Sequence, residues 1–162
     1  MSEQYVVGIS DRKVAIAPDS IVTYALGSCV GVALYDVKTR IGGLAHIMLP
    51  DSKMLPYAEQ GRMKFADTGI EDMVDEMISR GADRGGLKAK IAGGADMFKI
   101  SDGSRLASIG CRNVASVKSA LSRLGIQLVA EDVGRDYGRT LYFDLTTGGV
   151  KIQSLGKGTK EI

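Results

Sequence analysis

Apolar positions along this chain fall into two periods, and the switch between them predicts the elements. Short apolar or alternating runs bounded by turn residues mark strands at Val6–Ile9, Val14–Ala17, Ile21–Leu26, Cys29–Asp36, Ile41–Leu49, Leu87–Ala92, Ile126–Val133, Thr140–Leu145 and Val150–Leu155. Two stretches keep the helical period instead. Over Arg62–Arg80, the residues Ile70, Met73, Val74, Met77 and Ile78 form one stripe that stops at Gly81, and Thr68 with Glu71 offers a capping box near its start. Over Arg112–Leu124, the residues Val114, Val117, Leu121 and Leu124 form another that stops at Gly125. Pro50–Gln60 and Ala95–Ser108 keep neither period and read as loops. Many strands beside two helices, without regular βαβ alternation, predict an α+β domain: an α/β layered sandwich with a mostly antiparallel sheet and about two main helices. Residues 1–162 are expected to form a single domain.

Composition narrows the class. The chain has 21 Lys+Arg against 19 Asp+Glu, a field too weak to argue for nucleic acid or insertion into a membrane surface. No run approaches the ~18 apolar residues of a spanning helix. The opening MSEQYVVGISDRK lacks a basic start and a long apolar run, so the expected compartment is the cytoplasm, with reduced thiols. Two cysteines, Cys29 and Cys111, and a single histidine do not make a structural zinc site, so no metal is expected. Glycine is abundant, 21 of 162 residues, which suggests tight turns and close backbone approaches.

The chemistry emerges from one hairpin. If Cys29–Asp36 and Ile41–Leu49 pair around a turn centred on Lys38-Thr39, then Gly31 faces His46 and Cys29 faces Met48. Cys29 and His46 then share a face as diagonal neighbours, with Gly31 leaving the space between them open. A thiol beside an imidazole is a nucleophile with its base. Gly27 permits a sharp turn before the cysteine, and the amides near Ser28 and Cys29 are candidate donors to an oxyanion. A third group must hold the ring, and Thr23 and Ser28 are both candidates.

Blander readings compete with this one. A free cysteine in an apolar strand is usually a small buried hydrophobe. Cys111, at a predicted helix start beside Arg112, is a rival nucleophile, though no base lies near it in sequence. Gly93-Gly94-Ala95-Asp96 and Gly156-Lys-Gly-Thr159 fit neither phosphate-loop pattern and read as turns or tail. Arg135, Asp136 and Arg139 form a polar turn. Met97 and Phe98 are either an exposed contact or a tucked staple.

The segments LGSCVGVALYD and GGLAHIMLP, with AKIAGGADMF, IGCRN and EDVGRDYGRTLYFD, resemble the CheD family of chemoreceptor glutamine deamidases over Val14 to Val150. One departure is Arg135, where members commonly carry a second glycine. The resemblance implies a layered α/β fold akin to deamidating bacterial toxins, no cofactor, and hydrolysis of glutamine side chains on the cytoplasmic helices of chemoreceptors. It also implies roles: Cys29 as nucleophile, His46 as base and acid, and Thr23 orienting the histidine. Gly27, Ser28 and Phe98 are expected to contact substrate or partner. A CheC-type phosphatase is the second implied partner. The alternative function is a CheC-binding regulator with little or no deamidase activity.

Overall fold

Both faces of the two central strands are covered. Every residue of β4 (Val30–Asp36) and β5 (Ile41–Ile47) is buried in the computed structural model, which describes residues 1–56, 58–97 and 108–162. Burial on two sides is why these strands read as near-continuous apolar runs. They lie inside a five-stranded sheet ordered β2 (Arg12–Ile16), β5, β4, β6 (Leu87–Gly93) and β7 (Gln127–Val133). A second five-stranded sheet is ordered β1 (Gln4–Val6), β3 (Ser20–Leu26), β8 (Arg139–Asp144), β9 (Val150–Ser154) and β10 (Gly158–Glu161). Only the β1–β3 and β6–β7 pairs are parallel among these ladders. The expected mostly antiparallel α+β architecture is therefore present.

Strand alternation assigns each side chain to a layer. Val30, Val32, Leu34, Ala45 and Ile47 pack with Ile70, Met73, Val74 and Met77 of α1 (Ala66–Ser79) and with Val117, Ala120 and Leu121 of α2 (Ile109–Arg123). The alternate residues Ala33, Tyr35 and Leu44 meet Ile21, Leu26, Leu141, Phe143 and Ile152 of the second sheet. The order of layers is helices, first sheet, second sheet. No helix of the described residues is long and apolar enough to cross a membrane.

Element edges differ from the sequence expectation where tertiary contacts set them. The capping box at Thr68 and Glu71 does not form. Helix α1 starts earlier than Thr68, at Ala66, from an extended Phe65 that bridges Leu49, and the Thr68 hydroxyl donates back to the Arg62 carbonyl. Helix α2 starts at Ile109 rather than Arg112, because Ser108 caps it by accepting from the Cys111 amide. Strand β1 ends at Val6, its pairing with Ser20–Val22 overriding the apolar run that follows. Strand β10 was expected as turn or tail. Its residues are all exposed, so no apolar pattern announces it, and it is held by pairing with β9.

The β4–β5 register matches the expected one, from Val30↔Ile47 through Gly31↔His46 to Asp36↔Ile41. Asp36 secures its turn. The buried carboxylate accepts from the amides of Asp83 (2.8 Å) and Lys38 (3.1 Å) and from the Thr39 hydroxyl (2.8 Å). Burial pushes this carboxyl up, and the donors from Asp83, Thr39 and Lys38 together outweigh it, so the group sits below the usual carboxylate range. Its contribution is therefore present above the ordinary carboxyl range and lost as pH falls through the lowered native value. Asp36→Ala is expected to cost about 2–3 kcal/mol, read as a lower urea midpoint at unchanged slope, with Asp36→Asn costing less.

Candidate active site

Two sheets must meet for the histidine to be held. His46 of β5 is wholly buried and projects toward β3 of the other sheet, where Thr23 Oγ1 lies 2.7 Å from its Nδ1. The Thr23 hydroxyl has one proton, and it donates that proton to the Val7 carbonyl at 2.8 Å. Toward the ring the hydroxyl oxygen can therefore only accept. This assigns the tautomer: Nδ1 carries the hydrogen and Nε2 carries the lone pair. Nε2 is buried and has no hydrogen-bond partner among the described residues. Of the two candidates for the ring's partner, Thr23 is the one the fold brings to it.

Cys29 sits just before β4 and packs, half-buried, against the inter-sheet core. By the β4–β5 register, Cys29 lies two positions before Gly31, the partner of His46, on the same face. The sequence leads us to expect an open space over Gly31, and the structure corrects this. A Cβ there would lie 3.1 Å from both Leu26 and Leu141, so two leucine tips fill it. Burial pushes the Cys29 thiol up and the His46 imidazole down to about 4. At neutral pH both groups are uncharged.

The loop before the cysteine is tied by its carbonyls. Gly27 O accepts from Ala95 N (2.9 Å), Ser28 O from Asn113 Nδ2 (2.9 Å), and Cys29 O from Gly94 N (2.8 Å). In a trans peptide the next N–H points opposite to the C=O. The Ser28 and Cys29 amides are thus turned away from these anchors, and neither has a hydrogen-bond partner among the described residues. Gly27 itself is not the left-handed residue expected at a sharp turn; that is Ala25 (φ 58°), at the irregularity in the β3–β8 ladder. Gly27 instead leaves room for Met97, whose Cγ would be 3.3 Å from an added Cβ. Met97 lies there still 45% exposed, a contact at the rim. Phe98 lies outside the described residues.

The other glycine-rich motif has a packing role. At Gly93 (φ 111°) a Cβ would fall 2.2 Å from the Cys29 carbonyl, so Gly93-Gly94 is the bed of the cysteine segment. Arg139, fully buried, donates to the Gly134 carbonyl (2.9 Å) and pairs with Asp132 (3.3 Å), bracing this bed from β8. Arg135, which departs from the family pattern, has φ 65°, a backbone state that glycine adopts at no steric cost. Cys111 is exposed in the first turn of α2.

Asn113 was not singled out from the sequence. Wholly buried, it donates to Ser28 O (2.9 Å) and Met48 O (3.0 Å). A signal existed: with Gly110, Val117 and Ala120 it lies on the buried stripe of α2, an odd place for a carboxamide.

The fold is a helix-backed double sheet, with the His46 imidazole bonded to the Thr23 hydroxyl between the sheets and the Cys29 thiol half-buried against the inter-sheet core. Residues 48–154 match the family model for CheD, chemotactic sensory transduction. Relatives from Clostridium botulinum and Moorella thermoacetica are each 53% identical over 96% of this chain, and cover 96% and 93% of their own lengths. Each is named "Probable chemoreceptor glutamine deamidase CheD". The chain belongs to the CheD family. Two solved structures share the fold at low identity. Neisseria meningitidis NMB0706, of family DUF152, has TM-score 0.52 and 13% identity over 81% of this chain. Bacillus licheniformis YfiH has TM-score 0.51 and 18% identity over 78%. The match spans 64% and 51% of those chains.

His46 is the chain's single histidine, so it dominates titration between pH 5 and 7. The unfolded chain takes up this proton near 6.5, the native one only near 4. Stability is therefore full above about 6.5 and falls as pH drops through that window, by up to about 3 kcal/mol. The urea midpoint is expected to fall between pH 7 and pH 5, and to fall less in His46→Gln.

Proposed function

We propose that this protein hydrolyses glutamine side chains on the cytoplasmic helices of chemoreceptors to glutamate, using Cys29 as nucleophile, His46 as base and acid, and Thr23 to orient the ring. The observation that supports the reading is the pinned tautomer of His46, on a β5 face whose register continues to the residue opposite Cys29. Family membership supplies the substrate class, since the relatives are named for chemoreceptor glutamine.

The chemistry follows from neutral partners. Cys29 Sγ attacks the glutamine side-chain carbonyl carbon while Nε2 takes its proton. The oxyanion is met by the Ser28 and Cys29 amides. His46 then returns the proton to the departing nitrogen, the C–N bond breaks, and ammonia leaves a thioester. Water attacks the thioester with Nε2 again as base. The C–S bond breaks, the sulfur is reprotonated, and glutamate remains. Water is the only co-reactant and no cofactor takes part. Thr23 holds the ring throughout, being a neutral acceptor that does not tempt His46 to stay charged.

The receptor's cytoplasmic helices set the cytoplasm as the working compartment. A CheC-type phosphatase is proposed as a further partner on family membership, and Cys29→Ala is expected to retain that binding in a pull-down.

Mass spectrometry of a receptor cytoplasmic fragment incubated with the protein should show a gain of about one mass unit per converted site. Cys29→Ala should abolish the gain, and His46→Ala should slow it by about 10²–10⁴-fold. Thr23→Val, which removes the Nδ1 acceptor, should reduce kcat more than it changes KM. Deamidation that persists in Cys29→Ala would exclude this mechanism.

A further inference from the structure

We infer that Asn113 is a positioning residue for the reaction, a clamp that fixes the cysteine segment relative to the histidine strand; this rests on the reading of Cys29 as the nucleophile. The last pair of the β4–β5 ladder is Val30↔Ile47. Beyond it the strands lose their backbone cross-links, yet Cys29 and its opposite residue Met48 lie there. A carboxamide has two N–H donors, and Asn113 spends them on one carbonyl from each side: Ser28 O, directly before Cys29, and Met48 O, two residues after His46. The side chain thereby supplies the cross-link that the ladder stops providing.

Its orientation is forced. Carbonyls only accept, so the NH₂ group must face both of them and Oδ1 must point away. Oδ1 is buried there with no hydrogen-bond partner among the described residues. An unpaired buried acceptor costs stability that an apolar residue on the same helical stripe would not. A local rule broken in this way is expected where function requires it.

Three consequences reach the chemistry. First, tying Ser28 O sets the direction of the Cys29 N–H, because the two groups belong to one planar peptide. Second, Cys29 O is separately held by Gly94 N, so the peptide units on both sides of the cysteine Cα are fixed. Third, the Met48 amide donates to Lys64 O, which anchors that side of the clamp to the segment leading into α1. Asn113 passes this fixed frame across to the nucleophile.

The test uses Asn113→Ala and Asn113→Asp, the second keeping the volume while removing the donors. Deamidation kcat is expected to fall on the order of 10–100-fold with KM changed less than about twofold. Iodoacetamide labelling of Cys29 should slow about tenfold, with Cys111 in the same molecule unchanged as the internal reference. Val117→Ala, a buried truncation on the same helix, serves as the stability-matched control and should leave Cys29 labelling unaltered. In a His46→Ala background, Asn113→Asp should add no further slowing, since the clamp acts through the Cys29–His46 geometry. Unchanged Cys29 labelling, equal slowing in Val117→Ala, or independent effects in the double variant would overturn the inference. So would loss of the fold in both Asn113 variants, which would make the side chain a requirement of folding. Labelling needs no glutamine substrate. A wild-type protein that fails to deamidate but shows Asn113-dependent Cys29 reactivity would therefore remove the proposed function and leave the clamp standing.

Discussion

The register of one antiparallel pair governs this molecule. β4 and β5 are covered on both faces, so a slip by one residue would exchange two packed cores at once. Val30, Val32 and Leu34 would leave the helices for the second sheet, and His46 would turn away from Thr23. The pair is held at its turn by the Asp36 carboxylate and at its open end by the Asn113 carboxamide. Between these anchors the side chains face as they do because strand geometry leaves only two choices.

The electrostatics of the site follow from the same burial. Low polarity around Cys29 and His46 opposes thiolate and imidazolium alike, so the resting pair is neutral. Such a site differs from one built on a preformed ion pair. In the proposed reaction the proton would leave sulfur only as an electrophile is attacked. The Thr23 hydroxyl fixes the tautomer without adding a negative charge beside the buried ring.

NMB0706 and YfiH share the layering at 13% and 18% identity, a likeness of fold alone, and fold by itself does not fix function. In this chain the candidate residues lie where the two sheets and the start of α2 converge. Gly93-Gly94 shows how closely that place is built, with the cysteine backbone resting where any side chain would collide.

From the sequence by itself one could read the two helical stripes, the hairpin, its register, and the common face of Cys29 and His46. All of these are local: periodicity and a four-residue turn decide them, within about twenty residues. Tertiary structure decided that Thr23 rather than Ser28 meets the ring, because that depends on which residue of the other sheet lies opposite. It also put Leu26 and Leu141 over Gly31, made an edge strand of exposed Gly158–Glu161, and brought Asn113 to carbonyls 85 and 65 positions away. Periodicity tells a side chain which way to point; only the packing of distant segments determines what it finds there.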